Sequence, residues 1–494
     1  MTSHATLLTS NHTLIKQIAI PCAGPRRPLK SCLTGTVLMT PRFARSIYTL
    51  LTILLTCTVV ASAQPQTQPN TSVPIIFVHG NGDDASKWIG IIWLFESNNY
   101  PPDKLFSIRF THPNARANDT IEEENRSSTT DVTAELSAFV TRVLIETHST
   151  KVALIGSSRG GMTIRNYLLH GGSSNVAFAI TCGTPNHGVL AMDTNLDGEF
   201  NGKGRYLQSL NNGYGDTSEV PPGVKMMTLR SDKLDKYAQP SGITFGKPET
   251  ATGVTYEGPA LVGATNIVLP NLDHRELAFY PSAFAEMYKF ITGTAPATTQ
   301  VTPIPSPTIS GLITGFENGT FTNLPIAGAH LRIYPVGTTE STTPAYEVVT
   351  KADGKWGPFL ASSTQEYDFD LEYQGRHIRF YKAPIPRSTT LLNLRLLPVP
   401  AKPKDETNKA TSQSQSELFI DRPQGYLSRE RDAVLIDNKI ANDEPSGLPL
   451  EDSFLAHLAT PPTQLVTVTL RKETIAARPS ADLATDLPVV DFLW

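Results

Sequence analysis

The pentapeptide Gly156-Ser157-Ser158-Arg159-Gly160 follows the apolar run Val152 to Ile155 and precedes a helical-looking segment from Met162 to Leu169. A small residue two positions to either side lets a serine sit on a sharp strand-to-helix turn with its hydroxyl exposed above a sheet. Ser158 has Gly156 and Gly160 at those positions, whereas Ser157 would have Ile155 and Arg159, which crowd such a turn. Ser158 is therefore the candidate nucleophile for acyl transfer.

A serine hydroxyl needs a base to take its proton, an acid to orient that base, and donors for the oxyanion that forms. Around a strand-turn-helix serine the chain order of these groups is Ser, Asp or Glu, His. His187 comes too soon after Ser158 to leave room for a further strand and an acid, so the expected base is His274, after the last apolar strand pattern. The segment Met226 to Pro240 offers two acids, Asp232 and Asp235. Asp235 is preferred because its context, with Ala238 at +3 and Pro240 at +5, resembles that of the acid in known serine hydrolases; Asp232 is the alternative. The backbone amide of Arg159 supplies one oxyanion donor, and the loop Val78-His79-Gly80-Asn81-Gly82 offers the second at the Asn81 amide, with His79 read as structural.

The elements that must carry these groups alternate between short apolar runs and helical patterns from Val73 to Gly293. That alternation predicts a mostly parallel sheet covered by helices. Strands are expected at Pro74 to Val78, Leu105 to Phe110, Lys151 to Ile155, Val176 to Cys182, Lys225 to Leu229 and Asn266 to Leu269. Val132, Leu136, Phe139, Val140, Val143 and Leu144 recur at helical spacing, which predicts a core-facing helix starting near Thr129.

At 494 residues the chain exceeds what one core usually serves, so several regions are expected. Residues 64–293 are the catalytic-sized unit, and the Thr/Pro-rich stretch 294–308 reads as an extended linker. Residues 309–398 alternate polar and apolar positions between Gly and Asp-Gly turns, which predicts a β-sandwich; 401–416 reads as a polar linker and 417–494 as either a separate small β-unit or the completion of that sandwich. Near the N-terminus, Met39, Arg42, Arg45, the apolar run Ile47 to Ala61 and the small-x-small site ending at Ala63 predict a signal peptide over 39–63. Residues 1–38 then read as a mis-called or processed extension, and the protein as secreted or periplasmic after cleavage near Ala63. Cys22, Cys32 and Cys57 precede that cut, so Cys182 alone remains and no disulfide framework can form. A net charge of −4 gives no electrostatic basis for nucleic-acid binding, and no transmembrane span is expected in the mature chain.

Together, Phe77-Val78-His79-Gly80, the Ser158 pentapeptide with Gly161, and Gly183-Thr184-Pro185-Asn186-His187-Gly188 resemble secreted microbial lipases of the α/β-hydrolase superfamily, particularly the class 2 lipases, over about residues 73 to 293. The resemblance implies an α/β-hydrolase fold and hydrolysis of ester or lipid substrates without a cofactor. In those lipases a hydrophobic residue often follows the nucleophile; Arg159 departs from this, and a cation there would favour acidic or polar substrates. The segment 309–397, with Ala352-Asp353-Gly354-Lys355-Trp356, is similar to transthyretin-like and carboxypeptidase-regulatory-like sandwiches, and docking on lipid or polymer surfaces is one expectation for it. Asp193-x-Asn195-x-Asp197-Gly198 resembles the opening of a calcium loop, but position twelve is Gly204, so a surface turn is expected. Two rival functions share these features: an extracellular polyester or polyhydroxyalkanoate depolymerase, and a non-catalytic surface-binding protein on a hydrolase fold.

Overall fold

The computed structural model describes residues 72–337, 341–400 and 415–493. The signal peptide, the N-terminal extension and nearly all of the polar linker lie outside the described residues. Among the described residues, six parallel strands form the first sheet: β1 (Ile75–Val78), β2 (Leu105–Ser107), β3 (Val152–Ser157), β4 (Val176–Cys182), β5 (Lys225–Ser231) and β6 (Thr265–Leu269). Their spatial order is β6-β5-β4-β3-β1-β2, with every neighbouring pair parallel. Every residue of β1 and β3 is buried, which is why both read as unbroken runs without alternation. Strand order reverses between β1 and β3, and in open parallel sheets the crevice for a ligand lies at the carboxyl ends of such a pair. The loop after β1 and the turn after β3 meet there, with Val78 paired to Gly156.

Among the described residues, six helices accompany this sheet: α1 (Ile89–Ser97), α2 (Thr129–Thr147), α3 (Arg159–Leu169), α4 (Arg205–Asn212), α5 (Glu276–Phe279) and α6 (Pro281–Thr292). Helix α2 starts at a capping box, where the Ser128 hydroxyl accepts from the Asp131 amide and the Asp131 carboxylate accepts from the Ser128 amide. Its buried stripe is Val132, Leu136, Val140 and Val143. Helix α1 is apolar almost all round, the mark of a helix buried on more than one side. Ile91, Leu94 and Phe95 pack into the core beneath the parallel sheet, whereas Ile89 and Trp93 enter the core of the β-region.

That β-region contains a seven-stranded sheet in the order 346–349, 330–335, 367–373, 376–382, 486–491, 416–421 and 453–458. Strands from 308–317, 320–325 and 355–360, with 394–395 alongside, form a second layer against it. The region 417–494 shares a sheet with the strands before the polar linker. Strand 486–491 pairs parallel to both 376–382 and 416–421, so the last part of the chain completes the sheet begun before the polar linker, while 435–477 adds a small antiparallel sheet. The physical reason is that each of these strands presents an apolar face, and joining an existing sheet satisfies its backbone as well as burying that face. The Thr/Pro-rich stretch is extended but docked: Thr298 bonds Asn98, Thr302 bonds Ser97 and Ile304 bonds Pro386. No helix among the described residues is long and apolar enough to cross a membrane.

Candidate active site

Ser158 links β3 to α3 with φ of 51° and ψ of −120°, a conformation that non-glycine residues adopt only where the surroundings impose it. Three glycines provide those surroundings. A methyl group at Gly160 would lie 2.4 Å from the Val78 carbonyl oxygen, one at Gly156 would lie 2.6 Å from the Gly161 nitrogen, and one at Gly161 would strike Thr184. The turn is tied to the end of β4, because the Ser158 amide donates to Cys182 at 2.8 Å and the Thr184 hydroxyl donates to the Ser158 carbonyl at 3.1 Å. Ser157 is buried at 2% exposure.

His274 lies on the loop between β6 and α5, where it is 4% exposed. Its Nδ1 is 2.9 Å from each carboxylate oxygen of Asp235, and the Tyr237 ring meets its imidazole edge-to-face at 4.6 Å. With a carboxylate at Nδ1, that nitrogen carries the proton and Nε2 is left to accept one. Gly183, with φ of 55°, makes the approach feasible: a Cβ there would lie 2.6 Å from the His274 carbonyl oxygen and 3.2 Å from Nδ1. The adjacent residues Gly183 and Thr184 thus seat the imidazole and the serine turn from one strand end. Ser158 Oγ and His274 Nε2 are not hydrogen-bonded to each other in this structure, a contact that is commonly loose before substrate aligns it.

The two candidate acids occupy different positions. Asp235 faces His274 and also accepts the Tyr237 amide at 2.9 Å. Asp232 closes turns, accepting the Lys233 amide at 2.7 Å and the Asn271 amide at 3.2 Å. His187 is elsewhere, 2.8 Å from Glu219.

The loop after β1 passes directly over the serine turn, since a Cβ at Gly80 would sit 3.2 Å from the Ser158 Cβ. Among the described residues, the amides of Asn81 and Arg159 donate to no acceptor, while the Asn81 side chain is occupied in accepting the Ala115 amide at 2.7 Å. His79 is completely buried; its Nδ1 donates to the Gly80 carbonyl and its Nε2 accepts the Phe110 amide. Burial holds its pKa below the usual histidine range, so it serves the loop as a neutral brace. The β-region supplies further braces: Asn323 donates to the Asp83 and Phe110 carbonyls at 3.0 and 2.8 Å, and Arg395 donates to the Gly82 carbonyl at 2.7 Å.

The Arg159 side chain does not reach the substrate side, which corrects the expectation of a cation favouring acidic or polar substrates. Its guanidinium is buried at 2% exposure, with Nε 2.9 Å from both oxygens of Glu199, and it also donates to the Pro113 and Ser127 carbonyls and the Ser127 hydroxyl. All of its charge is directed inward. Burial pushes the Glu199 carboxyl above the usual range against the pull of Arg159, so this pair is worth more as a clamp between the start of α3 and the loop before α4 than as an electrostatic device. Glu199→Ala would strand a buried guanidinium, and is expected to lower unfolding free energy by about 3–5 kcal/mol in denaturant titration. A loss below about 1 kcal/mol would contradict that role.

The other acidic loop is likewise satisfied by protein cations. Asp193 pairs with Lys203, Asp197 with Arg205, and Asn195 donates to the Ala117 carbonyl. Among the described residues no group of three or more His, Cys, Asp or Glu is arranged to hold a metal ion. Cys182 is a buried free thiol in β4 whose pKa burial pushes far upward, which leaves it inert. A cleft of about 1790 Å³ runs behind the β1 loop, lined by Asp83, Lys87, Arg275 and Asp452 among others, but neither Ser158 nor His274 lines it.

Several residues around the site escaped sequence reasoning. Asp273 and Glu276 bracket His274 as a second capping box: Asp273 Oδ1 accepts the Glu276 amide at 3.0 Å, and Glu276 Oε2 accepts the Asp273 amide at 2.9 Å. The spacing Asp-x-x-Glu carries that signal in the sequence. Both carboxylates are completely or almost completely buried. Burial pushes Asp273 upward, yet Arg422 and Arg431 outweigh it and hold its carboxyl below the usual range. No local pattern announces those arginines, or Glu199, Asn323 and Arg395.

A parallel sheet flanked by helices, with a strained serine on the turn after its third strand beside the loop after its first, defines the α/β-hydrolase fold. Within that class, residues 72–189 match the family model of lipase (class 2), and residues 307–398 match that of the lipase C-terminal domain. The chain therefore carries two separate regions that match lipase-family models. Similar solved structures include Aspergillus fumigatus lipase B, at 17% identity over 47% of this chain and 55% of that one, with a TM-score of 0.33. This chain therefore spans just over half the length of that lipase. Bacillus licheniformis lipase BlEst2 in mature form is 22% identical over 45% of this chain and 90% of its own, with a TM-score of 0.32. The carboxylesterase CesB from Bacillus subtilis is 13% identical over 46% and 86%, with a TM-score of 0.26.

Proposed function

We infer that this protein is a secreted serine hydrolase of carboxylic esters. The observation that carries the reading is the contact of His274 Nδ1 with both oxygens of Asp235, beside a serine held at positive φ. In the proposed cycle Ser158 Oγ attacks the ester carbonyl while His274 Nε2 takes the hydroxyl proton. Asp235 keeps the imidazole in the needed tautomer and stabilises the imidazolium. The Asn81 and Arg159 amides receive the oxyanion. The tetrahedral adduct collapses as His274 returns the proton to the leaving alcohol, leaving Ser158 acylated. Water activated by the same imidazole then releases the acid and restores the serine.

With the Arg159 charge turned inward, that side chain does not oppose an apolar acyl chain, so long-chain esters stay within the proposed substrate range. Secretion rests on the signal pattern from Met39 to Ala63. The test is hydrolysis of p-nitrophenyl esters from short to long chain by the exported protein, whose N-terminus is expected at Gln64, alongside clearance of polyhydroxyalkanoate films. Ester hydrolysis without film clearance is the expected result. Film clearance exceeding soluble-ester turnover would favour the depolymerase, and no turnover of either would favour a binding protein.

A further inference from the structure

The chain after the polar linker reaches back to the loop that carries His274. Arg431 donates to Asp273 Oδ2 and to Glu276 Oε2, each at 3.0 Å. Arg422, only 1% exposed, donates to Glu276 Oε1 at 2.5 Å, and Arg471 lies 2.7 Å from the same oxygen. The Tyr426 amide adds a bond to Asp273 Oδ2 at 2.8 Å. A Cβ at Gly425 would lie 2.5 Å from the Arg422 Cζ, so the backbone there is pressed flat against the guanidinium.

These contacts converge on two residues, and those two residues are the ends of the capping box that contains His274. Asp273 and Glu276 each cap the other's amide, so the four-residue loop is closed by two hydrogen bonds. Displacing either carboxylate would rotate His274 relative to Asp235, which stands on a different loop after β5. Three cations on the last part of the chain thus face two carboxylates immediately beside the imidazole, and Asp432 takes the remaining charge from Arg431 and Arg471.

We propose that Arg422, Arg431 and Arg471 are positioning residues for His274, so that the region after residue 415 is part of the hydrolytic machinery and more than a surface-docking appendage. The proposal rests on the triad reading given above. Charge-assisted hydrogen bonds from rigid guanidinium forks suit this task, since each fixes a carboxylate in direction as well as distance. A base misplaced by about 1 Å loses on the order of 100-fold in rate without a matching loss of substrate binding.

The full-length chain carrying Arg431→Gln tests this. Against a soluble short-chain p-nitrophenyl ester, kcat per folded molecule is expected to fall about 10- to 100-fold while KM stays within about twofold, and Arg431→Lys is expected to restore much of kcat. Folded fraction is taken from thermal melts in the same buffer. A kcat within about twofold of wild type in folded Arg431→Gln, or a loss only in proportion to unfolded protein, would overturn the proposal. Should Arg431→Gln fail to fold, Arg471→Gln at the outer edge of the cluster is measured the same way, and the same two outcomes decide. Ser158→Ala as active as wild type would instead overturn the triad reading itself, so the two failures are distinguishable.

Discussion

Ser158→Ala is expected to lower kcat on p-nitrophenyl esters by about 10⁵- to 10⁶-fold while leaving thermal stability nearly unchanged. Both halves follow from the turn. Alanine keeps the Cβ already accommodated beside Gly80, and the same strained backbone, so no packing is lost. The Ser158 amide to Cys182 and the Thr184 bond to the Ser158 carbonyl belong to the main chain and survive the change. What disappears is the hydroxyl oxygen proposed to form the acyl-enzyme. Residual turnover would come from the Asn81 and Arg159 amides polarising a bound ester toward water, a contribution on the order of 10³-fold over solution. A variant retaining more than about a tenth of wild-type kcat would require another nucleophile.

Asp235→Asn is expected to cost about 10⁴-fold in kcat, with Asp232→Asn within about threefold of wild type. An asparagine fits the site and can still accept the Tyr237 amide, so the loop should persist. Its amide NH₂, however, turned toward Nδ1, would favour the tautomer with the proton on Nε2, the nitrogen that must accept one. Among the described residues Asp232 accepts from two backbone amides and the Ser231 hydroxyl, and an asparagine oxygen can replace most of that. Equal losses in the two variants, or a larger loss at Asp232, would reassign the acid.

The hydrolase elements were legible because each is written locally. The runs Ile75–Val78 and Val152–Ile155 are too uniformly apolar for anything but buried strands, and the α2 stripe has helical spacing with a cap in front. The strained turn at Ser158 was legible in its flanking residues alone, and the contact of His274 with Asp235 followed the chain order Ser, Asp, His. The preference for Asp235 over Asp232 likewise used neighbours within five positions.

What remained hidden depends on pairs far apart in sequence. Arg159 beside Glu199 spans 40 positions, and Arg431 beside Asp273 spans 158. An arginine after the nucleophile looks like a specificity element when only its position is known, because a side chain's direction is set by the partner that neutralises it. The strand at 486–491 reads as apolar and extended, yet nothing local says that it inserts between 376–382 and 416–421. Helix α1 was the missed opportunity: its apolar face is too broad for one core, and Trp93 donating to the Ser388 carbonyl at 3.0 Å shows where the surplus goes.

The claim on which the account depends is that Ser158 is the one activated hydroxyl of an ester hydrolase. Labelling the full-length protein with a fluorophosphonate and mapping the adduct by peptide mass spectrometry tests it most directly. One adduct per chain is predicted, on the peptide containing Ser158, with none formed by Ser158→Ala. Failure of the folded wild-type protein to label, or an adduct on any other residue, would contradict it.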